Sequence, residues 1–184
     1  MTVSAWQMLF DYARVTAGQT VLIHGAAGNV GAYAVQMAKQ IGVHVVASAS
    51  SADLDYVRGL GAEKVVDYQK QRFEDYVSRV DAVLDTVGGD AQQKSLQVLK
   101  PDGILVSVVS PVSEEVQKRL GIRAAYFSRD VTTARLKKIT ELFDSGKMIT
   151  NVGTVLPLEK ARVAHEMLAG APHKRGKIVL SIEA

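Results

Sequence analysis

The residues with the clearest chemical potential lie early in the chain. His24-Gly25-Ala26-Ala27-Gly28-Asn29-Val30-Gly31 follows the apolar run Val21–Ile23 and leads into helical spacing that lasts to Gly42. A short apolar run suits a buried parallel strand. A turn of small residues after such a strand lets backbone N–H groups approach a pyrophosphate, and the following helix adds the positive end of its dipole. Read against G-x-G-x-x-G, the register is Ala26, Gly28, Gly31, with alanine in the first glycine position. The strand before and the helix after give the pattern its meaning. Asn29, Val30 and Gly31 are expected to present N–H groups to the phosphates, and Gly28 to permit their close approach.

Other chemistries lack their residues. The chain has no cysteine, which removes disulfides and cysteine–zinc sites. Its four histidines are His24, His44, His165 and His173, none at H-x-x-x-H spacing. His24 closes a buried strand and reads as a satisfied interior residue, so no metal site is expected. No G-x-S-x-G turn announces a nucleophilic serine. None of the six tyrosines has lysine four residues on, so the Tyr-x-x-x-Lys pair of short-chain dehydrogenases is absent.

The positioning elements alternate. Thr2–Val15 is predicted as a helix with Trp6, Leu9, Phe10 and Ala13 on one face. Predicted strands are Val21–Ile23, His44–Ser48, Lys64–Asp67, Ala82–Asp85, Ile104–Val109 and Ile122–Phe127. Predicted helices between and after them are Asn29–Ile41, Ser51–Leu60, Phe73–Arg79, Asp90–Leu99, Val112–Leu120 and Thr132–Ser145, with Pro101-Asp102-Gly103 as a turn. This alternation predicts an α/β fold, a doubly wound parallel six-stranded Rossmann sheet. After Met148 the pattern changes to an extended stretch, Ile149–Leu156, then a helix, Pro157–Leu168, and an alternating strand, Lys177–Ile182. The expected organisation is a dinucleotide-binding domain over 1–150 and a C-terminal helix–strand arm over 151–184.

The 184 residues suffice for one domain with a full core, and no apolar run reaches the ~20 residues of a membrane span. With no basic-then-apolar leader at the N-terminus, the cytoplasm is the expected location. The net charge of +3 is uneven: Met1–Gln117 holds 9 basic and 13 acidic residues, Lys118–Ala184 13 basic and 6 acidic. No basic run interleaved with aromatics accompanies it, which argues against a nucleic-acid face.

Short segments distributed in order along nearly the whole chain carry a family likeness. They are Ser4-Ala5-Trp6-Gln7, Val21–Gly31 with Ala34-Val35-Gln36-Met37-Ala38, Leu60-Gly61-Ala62 leading to Asp67-Tyr68, and Val83-Leu84-Asp85-Thr86-Val87-Gly88-Gly89. Further along come Leu99-Lys100-Pro101-Asp102-Gly103, Ser145-Gly146-Lys147, Pro157-Leu158-Glu159 and Arg175-Gly176-Lys177-Ile178-Val179-Leu180. The chain resembles the nucleotide-binding half of medium-chain dehydrogenases/reductases, in the zinc-free quinone oxidoreductase (zeta-crystallin-like) branch. The resemblance implies hydride transfer from a nicotinamide to a quinone or an activated enone or carbonyl, without zinc. Family members usually carry an N-terminal domain that shapes the substrate cleft, so the chain is expected to be a cofactor-binding half lacking a complete active site. The terminal arm would normally pack on that domain.

The resemblance also places residues. Ser48 falls where an acid would bind the adenosine 2′-hydroxyl of NAD(H), and Ser50 and Ser51 supply further hydroxyls. Tyr68 matches a tyrosine that contacts the 2′-phosphate. These favour NADP(H) over NAD(H), although Asp53 stands where the family often has lysine. Thr86 and Val87 fall along the cofactor path. Val108, Val109 and Ser110 end the fifth strand, and Phe127 ends the sixth; Val108 and Phe127 are candidates to line the nicotinamide or to serve as core. No general acid or nucleophile is assigned. In the family the sixth strand joins two subunits, so a homodimer through Ile122–Phe127 is expected. The rival reading is a non-catalytic dinucleotide-binding or scaffold protein. A methyltransferase on a similar sheet is disfavoured by the missing acid on the second strand.

Overall fold

The computed structural model describes residues 1–182. Its main sheet contains β1 (Thr20–Ile23), β2 (His44–Ala49), β3 (Lys64–Asp67), β4 (Val80–Asp85), β5 (Leu99–Ser107) and β6 (Arg123–Tyr126). The order is β3-β2-β1-β4-β5-β6 and every pairing is parallel. The chain thus builds outward from β1 to β3, then returns to the other side of β1. The C-terminal ends of β1 and β4 therefore lie side by side where the winding reverses, the place at which such sheets open a crevice.

Alternation along the strands explains why these segments read as continuous apolar runs. Val21 and Ile23 point into one core with Val45, Ala47, Ala82, Leu84, Ile104 and Val106. Leu22 points the other way, with Val66, Val83 and Leu105. Successive side chains of a strand face opposite sides, and both sides here are covered. The first core is closed by α1 (Thr2–Trp6), α2 (Gly31–Gln40) and α6 (Thr133–Asp144); the second receives Phe73, Val77, Leu96 and Val98. In α2 every residue from Gly31 to Ala38 is buried, and its small residues let it lie between the sheet and α1.

Several expectations change in detail, and the predicted helix Phe73–Arg79 is only a 3-10 turn, Phe73–Asp75. The predicted first helix becomes α1 followed by a π-helical segment, Gln7–Ala13, ending at Arg14 with φ 52°. The wider turn carries the Val15 N–H back to the Leu9 carbonyl at 3.1 Å and keeps Met8, Leu9 and Ala13 buried. The predicted helix Asp90–Leu99 is shorter, α4 spanning Gly89–Ser95, and Leu99 already starts β5. Pro101-Asp102-Gly103, predicted as a turn, is looped out inside β5: Val80 pairs with Leu99 and Ala82 with Ile104. Asp102 takes φ 61° there, and Lys100 reaches Asp81 at 2.7 Å across the bulge.

The remaining helices of this unit are α3 (Leu54–Leu60) and α5 (Glu114–Leu120). Gly61 and Gly121 follow them in left-handed conformation, the usual helix stop. Met1–Met148 forms one compact unit and a second begins at Ile149. Within the second, β7 (Val152–Pro157) and β8 (Lys177–Ser181) pair in parallel, joined through a 3-10 turn, Leu158–Lys160, and α7 (Ala161–Leu168). Among the described residues no helix is long and apolar enough to cross a membrane.

Candidate functional site

The turn after β1 is shaped by a lack of room. Gly25 has φ 65°, and a Cβ on it would lie 2.4 Å from Thr86 Oγ1 and 3.1 Å from Val87 Cγ2. A Cβ on Gly31 would lie 2.2 Å from the Gly25 carbonyl oxygen and 2.7 Å from Ala26 Cα. Gly28 is less confined, its nearest such neighbour being the Gly25 oxygen at 3.1 Å. The two positions that admit only glycine are therefore Gly25 and Gly31. Ala26, aligned with the first glycine of the pattern, is fully buried, and its N–H donates to the Ser48 carbonyl at 3.3 Å. Gly28 and Asn29 are exposed and Val30 is half-buried. Val30 is the N-cap of α2 with no side-chain capping bond, so the helix entrance is not closed by its own cap.

Beneath the neighbouring loop, Asp85 ends β4 with no exposed surface. Its Oδ1 accepts the N–H groups of Val87 at 3.0 Å and Gly88 at 2.8 Å. Its Oδ2 accepts from Gln92 Nε2 at 3.0 Å and Ser107 Oγ at 2.8 Å. Gln92 also donates to the Ser110 carbonyl and accepts from its hydroxyl. A buried carboxylate requires such saturation. The result ties the loops after β4 and β5 to α4. Thr86 projects from this loop and donates to the His24 carbonyl at 2.8 Å, so it contacts the glycine turn directly. Val87 is exposed.

His24 lies immediately before Gly25 and is 2% exposed. Its Nδ1 is 2.8 Å from Ser48 Oγ and its Nε2 2.7 Å from Ser95 Oγ, while Phe73 packs at its edge. Burial lowers its pKa from 6.5 to about 4, against the opposing pull of Asp85 and Glu74. The expected interior role of this histidine is what the geometry displays.

At the ends of β2 and β3 the hydroxyls already have partners. Ser48 is buried and engaged with His24. Ser50 donates to Asp53 at 2.5 Å and Ser51 to Asp67 at 2.5 Å. The Ser51 hydroxyl is the main reason Asp67 is held below the usual carboxylate range. Tyr68, next to Asp67, is 60% exposed. At the other end of the crevice Val108 and Phe127 are half-buried against the first core, with Phe127 stacked on Tyr12 at 4.5 Å. Of the residues singled out from sequence, the fold brings Ala26, Gly28, Asn29, Val30 and Gly31 beside Thr86 and Val87. Ser48 meets the same turn from below.

A glycine turn at the point of sheet reversal, pressed against the β4 loop, is the arrangement of a nucleotide-binding Rossmann domain. Residues 60–180 match the family described as zinc-binding dehydrogenase. The chain belongs to this family, within the medium-chain dehydrogenase/reductase superfamily. It superposes with TM-score 0.89 on the quinone oxidoreductase from Coxiella burnetii, at 33% identity, covering 98% of this chain and 58% of that one. It is 32% identical over 169 residues to the chloroplastic NADPH-dependent alkenal/one oxidoreductase of Arabidopsis thaliana, covering 90% of this chain and 41% of that protein. A mycobacterial structure, Rv1454c complexed with NADPH, matches with TM-score 0.82 and 26% identity over 97% of this chain and 61% of that one. The chain thus spans well under two thirds of each of these proteins.

The family's name implies zinc, but the donors here do not suit it. There is no cysteine, and among the described residues no three His, Asp or Glu side chains converge. No zinc chemistry is assigned to these residues.

The residues that sequence reasoning passed over are Gly25, Gln92, Ser95 and Ser107. Only Gly25 had a signal, as a second small residue ahead of the aligned alanine. Two outcomes follow. Gly31→Ala forces the helix entrance away from the Gly25 carbonyl and costs about 1–3 kcal/mol, measurable by urea unfolding. Because unfolded histidine titrates near 6.5 and His24 near 4, the unfolded chain takes up the proton first, and stability falls as pH falls through this window. The full loss is about 3 kcal/mol. Urea midpoints from about pH 7 to about pH 5 should reveal it, and His24→Gln should flatten the slope.

Proposed function

We propose that this chain binds NADPH as the cofactor-binding portion of an oxidoreductase that transfers hydride to a quinone or an activated enone or carbonyl. The observation that carries the reading is the turn itself: Gly25 and Gly31, which leave no room for a Cβ, hold the α2 entrance against the sheet, and Gly28 and Asn29 stay exposed there. Such a turn fits a pyrophosphate, with Gly28, Asn29, Val30 and Gly31 at the entrance of α2. The dinucleotide, when bound, supplies the hydride. The residues of this chain orient it. Thr86 and Val87 border its path across the β4 end, and Asp85 holds their loop still. Val108 and Phe127 give the nicotinamide end an apolar backing. Orientation of this kind supplies a large share of the rate of a hydride transfer, and the proton that completes the reduction comes from solvent or from a group outside these residues. Of the proteins described above, one is named a quinone oxidoreductase, one an NADPH-dependent alkenal/one oxidoreductase, and the third is complexed with NADPH.

Tyr68, exposed at the end of β3, supports NADPH at the adenosine end. One observation favours NADH instead. The Ser50 hydroxyl is already committed to the Asp53 carboxylate, which repels a 2′-phosphate. Calorimetric titration of both cofactors decides: tighter NADH binding sinks the NADPH reading. Asp53→Lys is expected to strengthen NADPH binding by about tenfold or more, from removal of a repulsion and gain of a cation. Oxidation of NADPH in the presence of a panel of quinones and enones tests the reaction, and its absence in the whole protein favours a non-catalytic dinucleotide-binding role.

We also propose a homodimer through residues 122–127. Within the described residues β6 pairs only with β5, leaving its outer edge open, and open edges recruit strands. Light scattering at micromolar concentration should give twice the chain mass; a monomer mass refutes it.

A further inference from the structure

Four elements meet on the backbone and ring of one residue. The His24 N–H donates to the Leu84 carbonyl of β4, and its own carbonyl accepts from Thr86 Oγ1. Its ring spans from Ser48 on β2 to Ser95 on α4. The hydrogen bonds bear on where the ring proton sits. The Ser95 hydroxyl has one proton and two acceptors in reach, the Ala91 carbonyl at 2.6 Å and His24 Nε2 at 2.7 Å. Given to the carbonyl, it leaves the hydroxyl as an acceptor toward His24 and puts the ring proton on Nε2. Nδ1 is then bare and accepts the proton of Ser48 Oγ. Ser48 acts twice, because its carbonyl also takes the Ala26 N–H at 3.3 Å. His24 and Ala26, the residues on either side of Gly25, are thus both anchored to the same serine.

We propose that His24 is a positioning residue for the dinucleotide site: as a neutral imidazole protonated on Nε2, it clamps the glycine turn between the end of β2 and α4. At 2% exposure the ring cannot touch a ligand, so it acts through Gly25. Gly25 has no slack, since its Cα sits against Thr86 and its carbonyl against Gly31. A shift at residue 24 passes directly into the height of the turn and the aim of the α2 entrance. Ser95 belongs to the same device although it lies 71 residues away in sequence. The inference rests on the cofactor reading given above.

The test uses the full chain. Nitrogen-15 NMR of labelled histidine should find His24 protonated on Nε2 and bare on Nδ1, with an exchange-protected Nε2–H. NADPH and NADH are then titrated into wild type, His24→Phe, Ser95→Ala, His24→Gln and Val57→Ala. Val57 is a fully buried residue of α3 outside the relay and controls for general loosening. His24→Phe and Ser95→Ala should each raise Kd about tenfold, as for a lost buried hydrogen bond. His24→Gln, whose amide can still donate, should recover most of the affinity, and Val57→Ala should stay within about twofold of wild type. If His24→Phe does not fold, Ser95→Ala carries the comparison.

Unchanged Kd in a folded His24→Phe or Ser95→Ala overturns the proposal. So does a ring protonated on Nδ1 or on both nitrogens, or an equal loss in Val57→Ala. Wild type that binds neither dinucleotide, with the ring proton on Nε2 as described, overturns the cofactor reading and this inference with it.

Discussion

The constraint on which the site depends is the contact between the turn after β1 and the loop after β4. Gly25 sits where any side chain would collide with Thr86, and Gly31 sits where any side chain would collide with Gly25 itself. These two absences of a Cβ let the entrance of α2 lie against the sheet at the point where the winding reverses. The crevice exists because both strands end there. Its walls keep their spacing because nothing larger than hydrogen fits at Gly25 or Gly31.

Close approach alone would leave the backbone of both loops unsupported. The support is polar and lies beneath the surface. Asp85 collects four donors from the β4 loop, β5 and α4, and His24 joins β1 to β2 and α4. Among the described residues no buried side-chain nitrogen or oxygen lacks a partner. That completeness matters, because a half-satisfied network inside a sheet is worse than an apolar core. His24 bears a cost even so, since a ring held neutral by burial makes the fold less tolerant of acid.

The ends of β2 and β3 are built differently. Ser50 and Ser51 face carboxylates, Asp53 and Asp67, rather than open solvent. A serine counted as a free hydroxyl from sequence is in the fold already half of a hydrogen bond. The same holds for Ser48, whose place at the end of β2 suggested a ribose contact and whose hydroxyl bonds to the His24 ring. Which groups remain for a ligand depends on these pairings as much as on the residue types.

The sequence by itself determined the alternation of strands and helices, the parallel six-stranded sheet, the glycine turn and the family, because each is written in local periodicity or in short ordered segments. It also placed most limits of the six sheet strands to within one residue, while α4 and β5 slid into each other because Leu99–Gly103 carries turn residues within a strand. Only the tertiary structure decided which glycines are indispensable and which partners His24 meets. Those answers come from partners 24, 62 and 71 residues away, Ser48, Thr86 acting on the His24 carbonyl, and Ser95. A pattern of residue types records what a side chain can do; the packing of distant strand ends sets which neighbour it meets and hence what it does.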